Sequence, residues 1–254
     1  MTTLVFSKNR ACQLELLLRS VNISVTVLYT CDQEFKTGYD KLISMYPSVR
    51  FIREENFKEQ VLEVISDAKY VLFLVDDDVM ISSFSEDCYE FREFNRNSDI
   101  LCLNLRMSSQ YRYNGVPILI DNTWEWNKYR FDRKNRARNW GYPMSVSSHI
   151  FRKDDIFPIL LSREMNNPTT LERSLNRNPI YERPLMLCFD RPKFINNLAN
   201  QVQTECPWPN LDLPVLELEK RFLQGERLSL THIKDKAFTA TDCFLMTEYE
   251  WEEQ

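Results

Sequence analysis

From Val71 the run Tyr70-Val71-Leu72-Phe73-Leu74-Val75 offers five apolar residues in succession, with no polar position to turn toward water. Such a segment is a strand only if both of its faces are covered, as for an interior strand of a parallel sheet with helices above and below. The preceding sequence supplies the partners. Thr3 to Ser7, Ile23 to Tyr29 and Val49 to Ile52 read as strands, and Cys12 to Val21, Thr37 to Met45 and Phe57 to Ser66 as the helices between them. Strands alternating with helices in this way predict an α/β fold: a Rossmann-like, doubly wound, mostly parallel sheet with helices on both faces. Right-handed crossovers would bring the strand ends to one edge, where such sheets bind ligands.

Further along, Glu86 to Asn95 reads as a helix and Ile100 to Leu105 as a strand, and then the regularity stops. Met107 to Arg138 is a long excursion carrying Trp124, Trp126 and Tyr129, and long irregular segments in compact domains are often functional. A strand from Pro143 to Phe151 follows, then a helix over Asp154 to Leu161 and another over Leu171 to Asn176 capped by Thr169 or Thr170. Met186 to Phe189 and Phe194 to Leu198 read as strands, and Leu216 to Leu223 as a short helix stopped at Gly225.

Composition narrows the chemistry. A net charge of −5 over 254 residues argues against a protein that coats nucleic acid, which needs a basic face. Seven cysteines without a Cys-x-x-Cys pair suggest buried thiols and no zinc site or disulfide framework. Four glycines exclude a glycine-rich cradle, so any phosphate must be held by side chains and metal. The start, Met1-Thr2-Thr3-Leu4-Val5-Phe6, has neither a basic leader nor a membrane-length apolar segment, and a cytoplasmic location is expected.

At the carboxyl end of the Val71 to Val75 strand stand Asp76, Asp77 and Asp78. Three adjacent carboxylates repel one another unless a cation or hydrogen-bond donors offset the repulsion. Oxygen ligands of this kind suit Mg²⁺ or Mn²⁺, often shared with phosphate. A solvated acidic turn is the competing reading.

Four segments together resemble a known group. They are Leu4-Val5-Phe6-Ser7-Lys8-Asn9-Arg10-Ala11 with Leu14 and Leu17 to Ser20, the Val71 to Asp78 strand, Gly141-Tyr142-Pro143-Met144-Ser145 through His149-Ile150-Phe151-Arg152, and Asn167-Pro168-Thr169-Thr170-Leu171-Glu172. They look like bacterial and viral glycosyltransferases of the GT-A fold, related to family 2, over residues 2 to about 240. The resemblance implies a catalytic domain at 1–203, with a nucleotide-sugar half to about 105 and an acceptor half to 203. Residues 204–254 would be an extension packed on the same domain. It also implies a nucleotide-sugar donor, most simply UDP-linked, a saccharide or glycan acceptor, and transfer with inversion.

By that resemblance Asp76 and Asp78 fit the outer positions of a DxD motif that binds Mn²⁺ or Mg²⁺. If the strand geometry continues, the two point the same way. Asp78 is then expected on the metal, Asp76 on the ribose or a metal-bound water, and Asp77 is the carboxylate replaced at least cost. Phe6, Ser7 and Arg10 match the nucleotide-binding loop, with Tyr29-Thr30 and Arg53 to Phe57 completing the nucleoside pocket. Glu172 stands where the family places its base, with Asp154, Asp155 and His149 as rivals. His232 is a candidate late metal ligand. Trp140 and Tyr142, flanking Gly141, are expected to stack on the acceptor, while Trp124 and Trp126 suit a local core. Arg130, Arg133, Lys134, Arg136 and Arg138 form a basic cluster that could touch a membrane face or simply be solvated. Two other functions stand open: a nucleotidyltransferase, against which the scarcity of glycine counts, and a non-catalytic carbohydrate-binding scaffold.

Overall fold

A computed structural model of the chain describes residues 1–111, 119–129, 139–205, 207–240 and 242–253; the basic cluster at 130–138 lies outside them. In chain order the elements are β1 (Thr2–Lys8), α1 (Ala11–Ser20), β2 (Thr26–Thr30), α2 (Lys36–Met45), β3 (Arg50–Arg53), α3 (Phe57–Ile65), β4 (Tyr70–Val75), β5 (Asp78–Met80), α4 (Tyr89–Arg96), β6 (Ile100–Ser108) and β7 (Thr123–Glu125). Then come β8 (His149–Arg152), α5 (Lys153–Ser162), α6 (Pro168–Arg177), β9 (Leu185–Phe189), β10 (Phe194–Asn197), α7 (Val215–Leu223), β11 (Glu226–Leu228), α8 (Leu230–Phe238), β12 (Phe244–Leu245) and β13 (Trp251–Glu253).

The central sheet has the order β3-β2-β1-β4-β8-β6-β9-β7. Its first four strands are parallel, as the helix-strand alternation requires. The apolar run is β4, and the alternation of its side chains explains why no polar residue is tolerated there. Leu72 and Leu74 join the core under α1, α2 and α4, while Val71 and Phe73 join the core under α3, α5 and α6. The α/β fold with helices on both faces is therefore the fold found. One departure matters for the site: β8 runs antiparallel between β4 and β6, so its carboxyl end lies at the opposite edge from those of β1 and β4.

Two local readings are corrected. The strand expected from Pro143 begins only at His149, because Ser148 takes a left-handed backbone (φ 58°) and Ser145 and Val146 are drawn aside to Glu172. The helix expected at Leu171 begins at Pro168, where proline's fixed φ suits the first turn. Its cap is Asn167, which accepts from Thr170 N at 2.8 Å while Thr170 Oγ1 accepts from Asn167 N at 3.1 Å.

Residues beyond 204 share the core of the sheet: Leu218, Phe222, Leu228, Ile233, Ala237 and Leu245 are buried with Val5, Leu14 and Leu42. One close approach is between α7 and α2. A Cβ on Gly38 would stand 1.9 Å from Glu219 Oε1, so only glycine leaves room for that carboxylate. Neither Glu219 oxygen makes a hydrogen bond of good geometry, and burial pushes its carboxyl up to about 7, with Gly38 N–H and Lys41 pulling the other way. A carboxyl raised in the folded state favours folding fully below its unfolded pKa and loses that contribution as pH rises through the folded value. Between pH 4.5 and 8 the cost to the protein is expected to be about 2 kcal/mol after allowance for screening. Glu219→Gln should unfold at a higher temperature than the parent at pH 8 and at a similar one at pH 5. Parallel thermal-unfolding curves across that range would show that the carboxyl ionises freely.

Candidate active site

The loop after β1 is built around a buried phenol. Tyr39 Oη lies 2.6 Å from Ser7 Oγ and accepts from Arg10 N at 3.2 Å, which fixes the path from strand to α1. Asn9 takes a left-handed backbone (φ 56°), a conformation asparagine tolerates, and is clasped to Asp32 by two side-chain bonds of 2.7 and 2.8 Å. These ties aim Arg10 inward rather than into solvent. Its Nη1 donates to Asp76 Oδ1 at 2.9 Å and to Asp77 Oδ2 at 3.0 Å, and its Nη2 to the Asn200 carbonyl at 2.5 Å. Burial opposes the Arg10 charge, but Asp76 and Asp77 outweigh it and hold the guanidinium protonated.

The three aspartates do not alternate as one strand. Asp76 and Asp77 form a turn in which the chain leaves the central sheet, and Asp78 opens β5, pairing antiparallel with Asn196 of β10. Asp77 therefore stands between the other two, sharing Arg10 with Asp76 and Asn196 with Asp78. Asp76, also bound by Ser7 Oγ at 2.9 Å and Lys8 N at 3.1 Å, closes the nucleotide-type loop. Asp78 is fully buried and accepts from Val75 N at 3.0 Å, Ser147 Oγ at 2.7 Å and Asn196 Nδ2 at 3.1 Å. Burial and the Asp77 charge push Asp78 up to about 6, against the pull of Arg106. Asp77, bonded to Asn196 Nδ2 at 2.7 Å, keeps the most solvent access, 13% of its side chain against 6% for Asp76. Asp76 and Asp78 share no hydrogen-bond donor, so the expectation that the two face one way is not met.

The other sequence candidates separate. Phe6 packs its ring on Phe57 and Phe73, so only its backbone serves the loop, its carbonyl accepting from Asp76 N at 3.1 Å. Tyr29 stacks on Tyr39 at 4.7 Å and remains half-buried beside the loop. Glu172 gathers three donors: Tyr142 Oη at 2.9 Å, Ser145 Oγ at 2.9 Å and Val146 N at 2.8 Å. The 142–146 segment leads into the start of β8, whose His149 pairs with Phe73 near the aspartates. Asp154 and Asp155 follow Arg152, which pairs with Tyr70 at the opposite edge, and Asp155 is tied to Arg183 there.

His149 is not turned to a cleft. Its Nδ1 lies 2.7 Å from the Ser147 carbonyl and its Nε2 2.8 Å from Asn104 Nδ2, an arrangement for a neutral ring. Burial and the neighbouring Arg106 lower it to about 3. It is a structural histidine, and the expectation of a catalytic role is withdrawn. Trp140 is likewise corrected. It is 2% exposed, edge-on to Trp124 at 4.8 Å, and its carbonyl takes the Trp124 Nε1–H, so it has no face to offer a sugar. His232 pairs with Glu250 and the Glu248 carbonyl inside the C-terminal segment.

Residues that sequence reasoning missed complete the site. Asn196 donates to both Asp77 and Asp78, and the next residues carry the Asn200 carbonyl to Arg10. Arg106 donates to Ser147 Oγ at 3.1 Å, and Ser147 in turn donates to Asp78. Two guanidiniums thus stand against three carboxylates in the buried cluster, which leaves negative charge over. Among the described residues no three His, Cys, Asp or Glu side chains are grouped to hold a metal by themselves.

No protein-family model matches the chain. In sequence it is similar to the bifunctional glycosyltransferase pgtA of Dictyostelium discoideum, 28% identical over 231 residues that take in 72% of this chain and 29% of that protein. The chain spans under a third of the length of this curated relative. Among solved structures, S. aureus TarS 1-349 in complex with UDP-GlcNAc shares 13% identity at a TM-score of 0.46, over 93% of this chain and 70% of that one. A cytidylyltransferase from Leptospira borgpetersenii shares 11% at 0.42, over 75% of each chain. Likenesses at these scores fix neither a family nor a ligand. No helix among the described residues is long and apolar enough to cross a membrane.

Proposed function

We propose that the chain is a glycosyltransferase that moves a sugar from a nucleotide-sugar, UDP-linked in the simplest case, to a saccharide hydroxyl with inversion. The observation that carries this is the buried Arg10–aspartate cluster at the carboxyl ends of β1 and β4, in a chain similar in sequence to a glycosyltransferase. The β1 loop, Arg10 and Tyr29 line the donor side, where backbone and guanidinium can meet ribose and diphosphate. A divalent cation, Mn²⁺ or Mg²⁺, suits the uncompensated charge; Asp77 would hold it with Asp78 behind, and it would neutralise the departing diphosphate. Glu172 serves as base. The Tyr142 hydroxyl at Oε1 marks the position an acceptor hydroxyl would take to lose its proton as it attacks.

Calorimetry with UDP, with and without Mn²⁺, tests the donor half, followed by a hydrolysis screen over nucleotide-sugars. Binding tightened at least about tenfold by Mn²⁺ is the expected result, about 1.4 kcal/mol. A chain that binds no UDP under either condition and hydrolyses no nucleotide-sugar is not this enzyme.

A further inference from the structure

Arg10 and Arg106 are the two arginines of the buried cluster, each 6% exposed, and the protein treats them differently. Both terminal nitrogens of Arg10 are bonded internally, to Asp76, Asp77 and the Asn200 carbonyl. Arg106 has no carboxylate of a described residue within 4.0 Å. Its one side-chain hydrogen bond to such a residue runs from Nη1 to the Ser147 hydroxyl at 3.1 Å. The buried Nε and the terminal Nη2 meet no acceptor among the described residues. The Phe244 ring lies under the guanidinium, 4.5 Å from its centroid, which steadies the charge but takes none of its in-plane N–H groups. A guanidinium removed from water is costly unless an anion and acceptors offset the loss, and Arg106 has neither in full.

The strand is deformed to put it there. Between Leu103 and Ser108 the pairing of β6 with β9 shifts register. Asn104 Oδ1 pins the irregular stretch by accepting from Arg106 N at 3.0 Å and Met107 N at 2.9 Å. The Asn104 amide in turn lies 2.8 Å from His149 Nε2, and His149 Nδ1 lies 2.7 Å from the Ser147 carbonyl. One neutral imidazole thus ties the backbone that carries Arg106 to the residue its guanidinium touches. Bulges of this kind re-aim a side chain and recur beside active sites. Ser147 Oγ passes the contact on to Asp78 Oδ1 at 2.7 Å, the same oxygen that takes Asn196 Nδ2 at 3.1 Å. Arg106 therefore stands one hydroxyl away from the aspartates, with donors to spare.

We propose that Arg106 is a catalytic cation of the donor site, giving its Nη2–H groups to the diphosphate of the nucleotide-sugar; this rests on the glycosyltransferase reading and adds a residue to it. As the bond from the anomeric carbon to the β-phosphate oxygen breaks, its electron pair stays on that oxygen. The acceptor oxygen forms the new bond and its proton passes to Glu172, so the departing diphosphate gains one negative charge, which a fixed guanidinium stabilises. The test uses the whole chain with Mn²⁺, UDP and uridine, or the diphosphate and nucleoside of whichever donor is hydrolysed. Arg106→Gln keeps a donor for Ser147 and removes the charge. Its UDP affinity should fall at least about tenfold while uridine affinity stays within about twofold, and donor hydrolysis at saturation should fall about 10²-fold. Arg106→Lys should recover part of each, as a point charge without the fork. Unchanged UDP affinity in Arg106→Gln, or equal losses for UDP and uridine, overturn the assignment and spare the glycosyltransferase reading. Should Arg106→Gln fail to fold, the Arg106 guanidinium resonances of the parent, assigned with Arg106→Lys, should shift on adding UDP and stay in place with uridine. Resonances that ignore UDP overturn the assignment. A parent that binds no UDP and hydrolyses no nucleotide-sugar overturns both.

Discussion

Arg10→Met is expected to be the most destabilising single substitution near the site, at about 3–5 kcal/mol, because it leaves a buried carboxylate without its cation. The Arg10 side chain is 7% exposed and that of Asp76 6%, so water cannot take the place of the lost partner. The guanidinium also joins three segments remote in sequence: the β1 loop, the turn after β4, and Asn200 beyond β10. In a domain of this size the loss corresponds to a fall in Tm of roughly 10 °C. Arg10→Lys should restore only part of it, since an ammonium is a point charge and cannot span Asp76, Asp77 and the Asn200 carbonyl together. Adding Asp76→Asn to Arg10→Met removes the stranded charge and should recover more than half of the deficit. Thermal or urea unfolding of the four proteins closes the cycle, and additive effects of the two substitutions would mean that the pair does not interact.

Much of this architecture is legible in local pattern. The apolar run of β4 and the regular spacing of the first three helices mark out the parallel half of the sheet, because burial on two faces leaves a signature that needs no knowledge of partners. Arg10 and the aspartates are legible for the same reason, as polar residues at strand ends. Their pairing is not, since 66 residues separate Arg10 from Asp76. The burial of Trp140 has no local signal either, because its place beside Gly141 does not show that Trp124, 16 residues away, packs against it. Asn196 carries no local signal at all, for its partners Asp77 and Asp78 lie 119 and 118 residues away. The helix α8 does leave a local signal, since Leu230, Ile233 and Ala237 follow a helical spacing, but nine residues give that period little weight.

The individual roles of the aspartates follow from the turn at 76–77. Asp77→Asn should cost the fold about 1 kcal/mol, since its one amide oxygen can still accept from Arg10 and the side chain, partly open, lets water meet the Asn196 amide it gives up. The Mn²⁺-dependent part of UDP affinity should disappear in that variant, and donor turnover should fall by about 10²–10³, the scale set by losing one group that balances charge in a transition state. Asp78→Asn should behave differently. Its carboxylate satisfies Val75 N, Ser147 Oγ and Asn196 Nδ2, three donors that one amide oxygen cannot all serve. A loss of about 1–3 kcal/mol in stability is expected there, through donors left unmet in a buried site. Calorimetry for UDP with and without Mn²⁺, beside thermal unfolding of each variant, separates the two. If instead Asp78→Asn keeps its Tm and alone abolishes the cation effect, the outer-aspartate assignment implied by the sequence resemblance is the correct one, and the exposure of Asp77 reflects only its place on the turn.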